Sequence, residues 1–229
     1  MRSIFRSIKW CIRYTKVFDR FHNLFNYNDR EQMLKISMEY VQQSNINGDY
    51  LEFGVYKGYT MSIAFNFAKK YKLNTMNFYA FDSFQGFPEL KGVDKDGYQQ
   101  FKGGTYKSDI DIFKKNLKSH GVNLKKVKII PGFYDEVLGT LPGNFSNKAS
   151  IIWVDCDLYE STVSVLKYAY DYIQEGTVII FDDWNCYRGN PKRGEKRAFS
   201  EWLEEHPEIL VEKFFSFGWH GNSFILNFK

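Results

Sequence analysis

From Asn28 onward the apolar positions of the chain switch repeatedly between a helical and a strand period. In NDREQMLKISMEYVQQ the residues Met33, Leu34, Ile36, Met38 and Val41 fall near helical spacing, which predicts a helix capped by Asn28 or Asp29. A regular alternation begins at Gly48. YLEFGV reads as a strand, followed by a helix through Ala68; MNFYAFDS is the next strand and SDIDIFKKNLKSHGV the next helix. VKIIPGF, a short helical DEVLGTL, ASIIWVDCD, the helix STVSVLKYAYDYIQ, the strand TVIIFDD and the helix GEKRAFSEWLEEHPE come next in turn. ILVEKFFSF and SFILNF are two last strands joined across GWHGN, and so short a connection makes them antiparallel. The predicted fold class is α/β: a mostly parallel sheet with a C-terminal antiparallel strand and helices on both faces, in one domain spanning 28–229. Ligands of such sheets sit beyond the carboxyl ends of the strands. The glycine-bearing stretch 90–107 exceeds ordinary loop length and reads as a lid or substrate loop.

The strand ends carry the candidate chemistry. After the first strand, Gly54 and Gly58 in LEFGVYKGYT either let a ligand approach the backbone or simply turn the chain. Their spacing is neither G-x-G-x-x-G nor a P-loop. Glu52, an acid inside the strand, needs a partner. Asp82 closes the second strand, where an acid can accept from a ribose diol or cap a turn, and Gly132 and Phe133 after the third can flank a flat base or pack in the core. The fourth and fifth strands, IIWVDCD and VIIFDD, each end in two acids: Asp155 with Asp157, and Asp182 with Asp183. Neighbouring strands would bring these ends about 5 Å apart. Four carboxylates that close repel one another, and a hard divalent cation such as Mg²⁺ relieves the repulsion through oxygen ligands.

Charge adds one feature. The net charge is +4, but the first twenty residues carry Arg2, Arg6, Lys9, Arg13, Lys16 and Arg20 against Asp19, so the remainder of the chain is slightly acidic. On a helix these cations form one stripe, which predicts an arm over 1–27 that docks on the body or a sister subunit, with peripheral contact of residues 1–20 with an anionic membrane face as the alternative. No basic patch follows, which argues against nucleic acid. Cys11, Cys156 and Cys186 have no disulfide or zinc spacing, and no apolar run approaches the roughly 18 residues of a membrane span. A cytoplasmic protein is expected, its arm touching the inner membrane face in the alternative reading. His22, His120, His206 and His220 form no spaced cluster, although His220 can reach the strand ends.

Together, YLEFGVYKGYT, FYAFDSFQGFPE, PGFYDEVL, IIWVDCDLYESTVSVL and VIIFDDWNCYRGNPKRGEKRAF resemble the macrocin O-methyltransferase family over about residues 28–229, most specifically in VDCDLYEST and DDW. The resemblance implies a Rossmann-like class I S-adenosylmethionine fold and Mg²⁺-dependent methyl transfer to a sugar or glycan hydroxyl. Carried over by position, it puts Glu52, Phe53, Gly54, Gly58, Thr60, Asp82, Ser83, Gly132 and Phe133 on the cofactor side. It makes Asp155, Asp182 and Asp183 the metal acids and Asp157 the general base, with Asp155 also catalytic. The arm before Asn28 and Trp184 after the paired acids depart from the pattern, so acceptor identity and oligomer contacts do not transfer. Three rivals stand beside this reading: phenol or catechol methylation on the same fold, a glycosyltransferase using D-C-D as a D-x-D, and a non-catalytic scaffold attached to membrane by its arm.

Overall fold

The computed structural model describes residues 28–95, 102–141 and 147–229; the predicted arm over 1–27 and the centre of the 90–107 loop lie outside the described residues. Helix α1 (Asp29–Gln43) begins at an Asn28 cap whose side chain accepts the Glu31 N–H while Glu31 reaches back to the Asn28 N–H, a capping box. Strand β1 (Asp49–Phe53), helix α2 (Tyr59–Lys70), strand β2 (Phe78–Asp82), helix α3 (Ile110–Ser119), strand β3 (Val127–Pro131) and the short α4 (Tyr134–Val137) succeed it. Then come β4 (Ala149–Val154), α5 (Tyr159–Ala169), β5 (Thr177–Phe181), α6 (Gly194–Glu205), β6 (Ile209–Phe217) and β7 (Gly221–Phe228).

The seven strands form one sheet in the order β3-β2-β1-β4-β5-β7-β6, parallel from β3 to β5, with β7 antiparallel to both β5 and β6. This is the fold that the strand pattern and the resemblance implied. The period of two sorts the core into layers. Tyr50, Phe78, Ile151, Trp153, Val178 and Ile180 meet Met33, Leu34 and Met38 of α1, Met61 and Phe67 of α2 and Phe113 and Leu117 of α3 on one face. Leu51, Phe53, Phe81, Ile152, Val154, Ile179 and Phe181 meet Val165 and Leu166 of α5 and Phe199 and Trp202 of α6 on the other. With both faces covered, the central strands are buried on both sides, with apolar residues on each face rather than apolar alternating with exposed polar ones.

Helix α5 starts two residues before the predicted Ser161. Asp94, from a single 3-10 turn (Gly92–Asp94) in the long loop, accepts the N–H groups of Tyr159 and Glu160 at 3.0 Å each and so satisfies two orphan donors of that helix. Among the described residues no helix is long and apolar enough to cross a membrane, and Cys156 and Cys186 are buried free thiols.

The sheet hydrogen bonds run one residue past the strand ends. The N–H of Gly54 bonds Phe81 O at 2.9 Å, that of Asp155 bonds Phe53 O at 2.8 Å, and that of Asp182 bonds Val154 O at 2.9 Å. This extension brings the Asp155 carbonyl against Gly54, where an added Cβ would lie 1.9 Å from the carbonyl oxygen, and Gly54 has φ +93°. Substitution Gly54→Ala is therefore expected to destabilise the fold by about 3 kcal/mol or more, since both the contact and the backbone conformation exclude a side chain. Thermal or urea unfolding measures this; an unchanged midpoint would show that the turn has another conformation.

Candidate active site

Beyond the carboxyl ends of β1 to β5 lies a cavity of 680 Å³. Gly54, Thr60, Asp82, Ser83, Gly132 and Phe133 line one side, and Asp155, Asp157, Asp182 and Asp183 the other, with Arg30 of α1 beside them. Glu52, Phe53 and Gly58, expected on the cofactor side, do not line it. Glu52 is fully buried behind the wall, where it accepts hydrogen bonds from the hydroxyls of Tyr50, at 2.7 Å, and Thr60. Phe53 points away into the core and stacks on Phe81 at 4.4 Å. Gly58 starts α2 with φ +83°, and an added Cβ there would meet the Phe113 ring at 2.9 Å. None of the three is therefore on the cavity surface itself.

Asp82 caps a turn, as one of its two readings required. Its Oδ2 accepts the N–H of Val55 at 3.0 Å and of Tyr56 at 2.8 Å, and its Oδ1 accepts that of Phe84 at 2.7 Å. It thus stitches the turn after β1 to the end of β2. Burial raises its pKa and these three N–H groups oppose the rise. Oδ1, with one bond, keeps a lone pair available. Ser83 closes the adjoining turn by donating to Gly86 O at 2.8 Å and accepting the Gln85 N–H at 3.0 Å.

Because β4 and β5 are parallel neighbours with Val154 opposite Phe181, the four acids leave the sheet side by side, and three of them converge. One carboxylate oxygen from each of Asp155, Asp157 and Asp183 lies within 4.8 Å of the other two. Asp157 reaches this group through a left-handed backbone, φ +59°. Asp182, expected among the metal acids, is placed differently. Its side chain is buried and gripped by the Arg30 guanidinium, whose Nε lies 2.9 Å from Oδ1 and whose Nη2 also bonds Oδ2. The pleat sends Asp182 to the α1 face while Asp183 turns to the cluster, so the donor set the geometry offers is Asp155, Asp157 and Asp183. His220 closes this corner, with Nδ1 2.6 Å from the Asp182 carbonyl oxygen.

Sequence reasoning also missed Glu195, the second residue of α6, which is 1% exposed and accepts the Asp183 N–H at 2.9 Å. Burial pushes the carboxyls of Asp155, Asp157, Asp183 and Glu195 well up, and the neighbouring acids push them further. Arg30 opposes the rise at Asp155, Asp157 and Asp183. Among the described residues, Asp183 Oδ2 and Glu195 Oε1 are buried without a hydrogen-bond partner. An all-oxygen donor set with orphaned acceptors and one neighbouring guanidinium fits a hard divalent cation. No spacing in the sequence marks Arg30, which acts across 152 positions, or Glu195, which reaches back 12 positions from the next helix; only the acid pairs announce the place.

The order of the strands, the cavity at their carboxyl ends and the acids there define an α/β protein of the class I methyltransferase type. A family model described as macrocin-O-methyltransferase (TylF) matches residues 25–202, and the chain belongs to that family. It is 26% identical over 157 residues to mycinamicin III 3''-O-methyltransferase of Micromonospora griseorubida, covering 66% of this chain and 61% of the relative. To demethyldecarbamoylnovobiocin O-methyltransferase of Streptomyces niveus it is 25% identical over 162 residues, covering 68% and 60%. The chain thus spans about three-fifths of the length of these curated relatives. Among solved structures, the O-methyltransferase NovP superposes with TM-score 0.72 at 22% identity, over 88% of this chain and 80% of that one. The calicheamicin methyltransferase CalS11 gives 0.69 at 22%, over 92% and 85%. These two superpositions are likenesses of fold.

Glu52 provides a pH test of the wall. Burial lifts its pKa from 4.5 to about 7 against the hydrogen bonds from Thr60 and Tyr50. The folded state therefore holds a proton that the unfolded chain has released, and this contribution to stability fades as pH rises from the unfolded value through the folded one. Relative to Glu52→Gln, the protein should lose about 2–3 kcal/mol of stability between pH 4.5 and 7.5, measured by urea unfolding. Parallel pH profiles for the two proteins would show that Glu52 titrates normally.

Proposed function

We propose that this chain transfers a methyl group from S-adenosylmethionine to a hydroxyl of a sugar or glycan acceptor, with a divalent cation such as Mg²⁺ held by its acids. The observation that carries the reading is the continuity of one cavity from the glycine turn and Asp82 to the cluster of Asp155, Asp157 and Asp183. Its 680 Å³ is within the usual range for a small-molecule site. The family and the sugar O-methyltransferases among its relatives support the acceptor class.

Bound here, S-adenosylmethionine would supply an electrophilic sulfonium methyl, and a divalent cation would lower the pKa of an acceptor hydroxyl. The chain's own residues do the rest. Asp82 has a lone pair for a ribose hydroxyl, and Gly132 and Phe133 line the same cavity, where a flat base would lie. Asp155, Asp157 and Asp183 would hold the ion, each through one carboxylate oxygen. The second oxygen of Asp157 is then available to take the acceptor's proton as the new carbon–oxygen bond forms and the carbon–sulfur bond breaks. Holding donor and acceptor in contact is the largest service such a site can perform, worth up to about 7–11 kcal/mol in well-oriented cases.

The most direct test pairs binding with turnover. S-adenosylhomocysteine should give heat on titration while UDP and GDP give none, which separates methyl transfer from the glycosyltransferase alternative. Asp155→Asn should then reduce cation-dependent methylation of a glycoside by about 100-fold or more while the protein still binds S-adenosylhomocysteine. Full activity of that variant without added Mg²⁺ would refute the assignment.

A further inference from the structure

We propose that Tyr56 and Tyr106 form a platform on which the saturated ring of the acceptor rests, its hydroxyl edge turned toward Asp157. This inference rests on the sugar-acceptor reading and adds to it the residues that recognise the ring. Both tyrosines line the cavity, yet their side chains are left open to it: Tyr56 is 40% and Tyr106 58% exposed. Large rings are normally covered, and rings exposed together in a concave site mark a contact surface.

Three further observations single out this pair. Both residues have left-handed backbones, with φ +45° at Tyr56 and +58° at Tyr106, which is unusual for bulky side chains and recurs where function holds the chain. Both are fixed from behind. The Tyr56 N–H is bound by Asp82, and the chain before Tyr106 is pinned by Gly104 N–H to Phe87 O at 2.9 Å and Phe87 N–H to Thr105 O at 3.0 Å. The Tyr106 ring also meets Phe87 edge to face, centroids 5.3 Å apart. Finally, Tyr106 lines the same cavity as Asp155, Asp157 and Asp183.

The geometry favours a particular chemistry. The two rings stand at 83° with centroids 6.3 Å apart, making a corner rather than a parallel slot. A pyranose is thick, carries a face of weakly positive C–H groups that suits the negative face of a ring, and bears hydroxyls around its edge. Lys57 Nζ stands over one face of the Tyr56 ring, 4.8 Å from its centre, as a cation–π contact. Tyr59, a third exposed ring on the cavity, is set apart because its hydroxyl donates to Glu31 at 3.1 Å and so belongs to the contact with α1.

The test uses the full chain saturated with S-adenosylhomocysteine and Mg²⁺, with methyl hexopyranosides and catechol as probes in saturation-transfer NMR. Tyr106→Gly removes the ring at a position whose backbone suits glycine, so folding should survive; Tyr106→Trp restores a ring face. The wild type should show transfer to the C–H protons of one pyranoside face. Tyr106→Gly should weaken that binding about tenfold and Tyr106→Trp by no more than about threefold, with S-adenosylhomocysteine affinity unchanged in both. Undiminished glycoside binding by Tyr106→Gly would overturn the platform and leave the sugar reading standing. Absence of any glycoside signal from the wild type, with or without a catechol signal, would overturn both.

Discussion

The repulsion among carboxylates at the ends of two parallel neighbours is the constraint on which this molecule turns. Strands β4 and β5 are fully buried, so their hydrogen-bonded register is fixed, and the residues just after Val154 and Phe181 must share the same few ångströms. On both strands those residues are acidic. Burial and mutual charge leave Asp155, Asp157, Asp183 and Glu195 reluctant to ionise, and the basic partner beside them, Arg30, is committed to Asp182. An isolated group of buried like charges is costly to a fold unless something positive completes it. The remaining features of the site are arranged around that need.

The glycine turn shows how tightly the parts are joined. Gly54 is required because the Asp155 carbonyl lies against it, so the glycine-turn side of the cavity and the acid side share a backbone contact. Asp82 then ties the same turn to β2, and Glu52 ties β1 to α2 through Thr60. A shift of either side would be felt by the other. That coupling is what a reaction between two bound partners asks of a scaffold, since the alignment of the reacting atoms governs the rate. Arg30 extends the coupling to α1, the element after the basic N-terminal stretch, and sets that helix against the acids.

Much of this was legible along the chain. The switch between periods of two and 3.6 marked the strands and helices, because two covered faces impose continuous apolar runs on the strands and amphipathic stripes on the helices. The short GWHGN link implied the antiparallel pair at the end, now β6 and β7. The place of the site was legible too, since two apolar strands that each run straight into a pair of acids concentrate negative charge where a ligand or ion is needed to balance it. Which acids meet was not. That depends on the pleat that directs Asp182 toward α1, on the left-handed turn at Asp157, and on Arg30 reaching across 152 positions of sequence. Glu52 needed a partner, and the hydroxyls of Tyr50 and Thr60 supply it, but only the packed structure shows that it stands behind the cavity wall. Asp94 capping α5 and Glu195 holding the Asp183 N–H were invisible for the same reason: each is a contact between elements whose local sequence is ordinary.

The central claim is that three carboxylates from two adjoining strand ends receive one ion. Crystals soaked in Mn²⁺, with diffraction collected near the manganese absorption edge, test it directly. The account predicts a single anomalous peak among the oxygens of Asp155, Asp157 and Asp183, with Asp182 still on Arg30. A peak elsewhere, or none while the four acids keep their present positions, would contradict it.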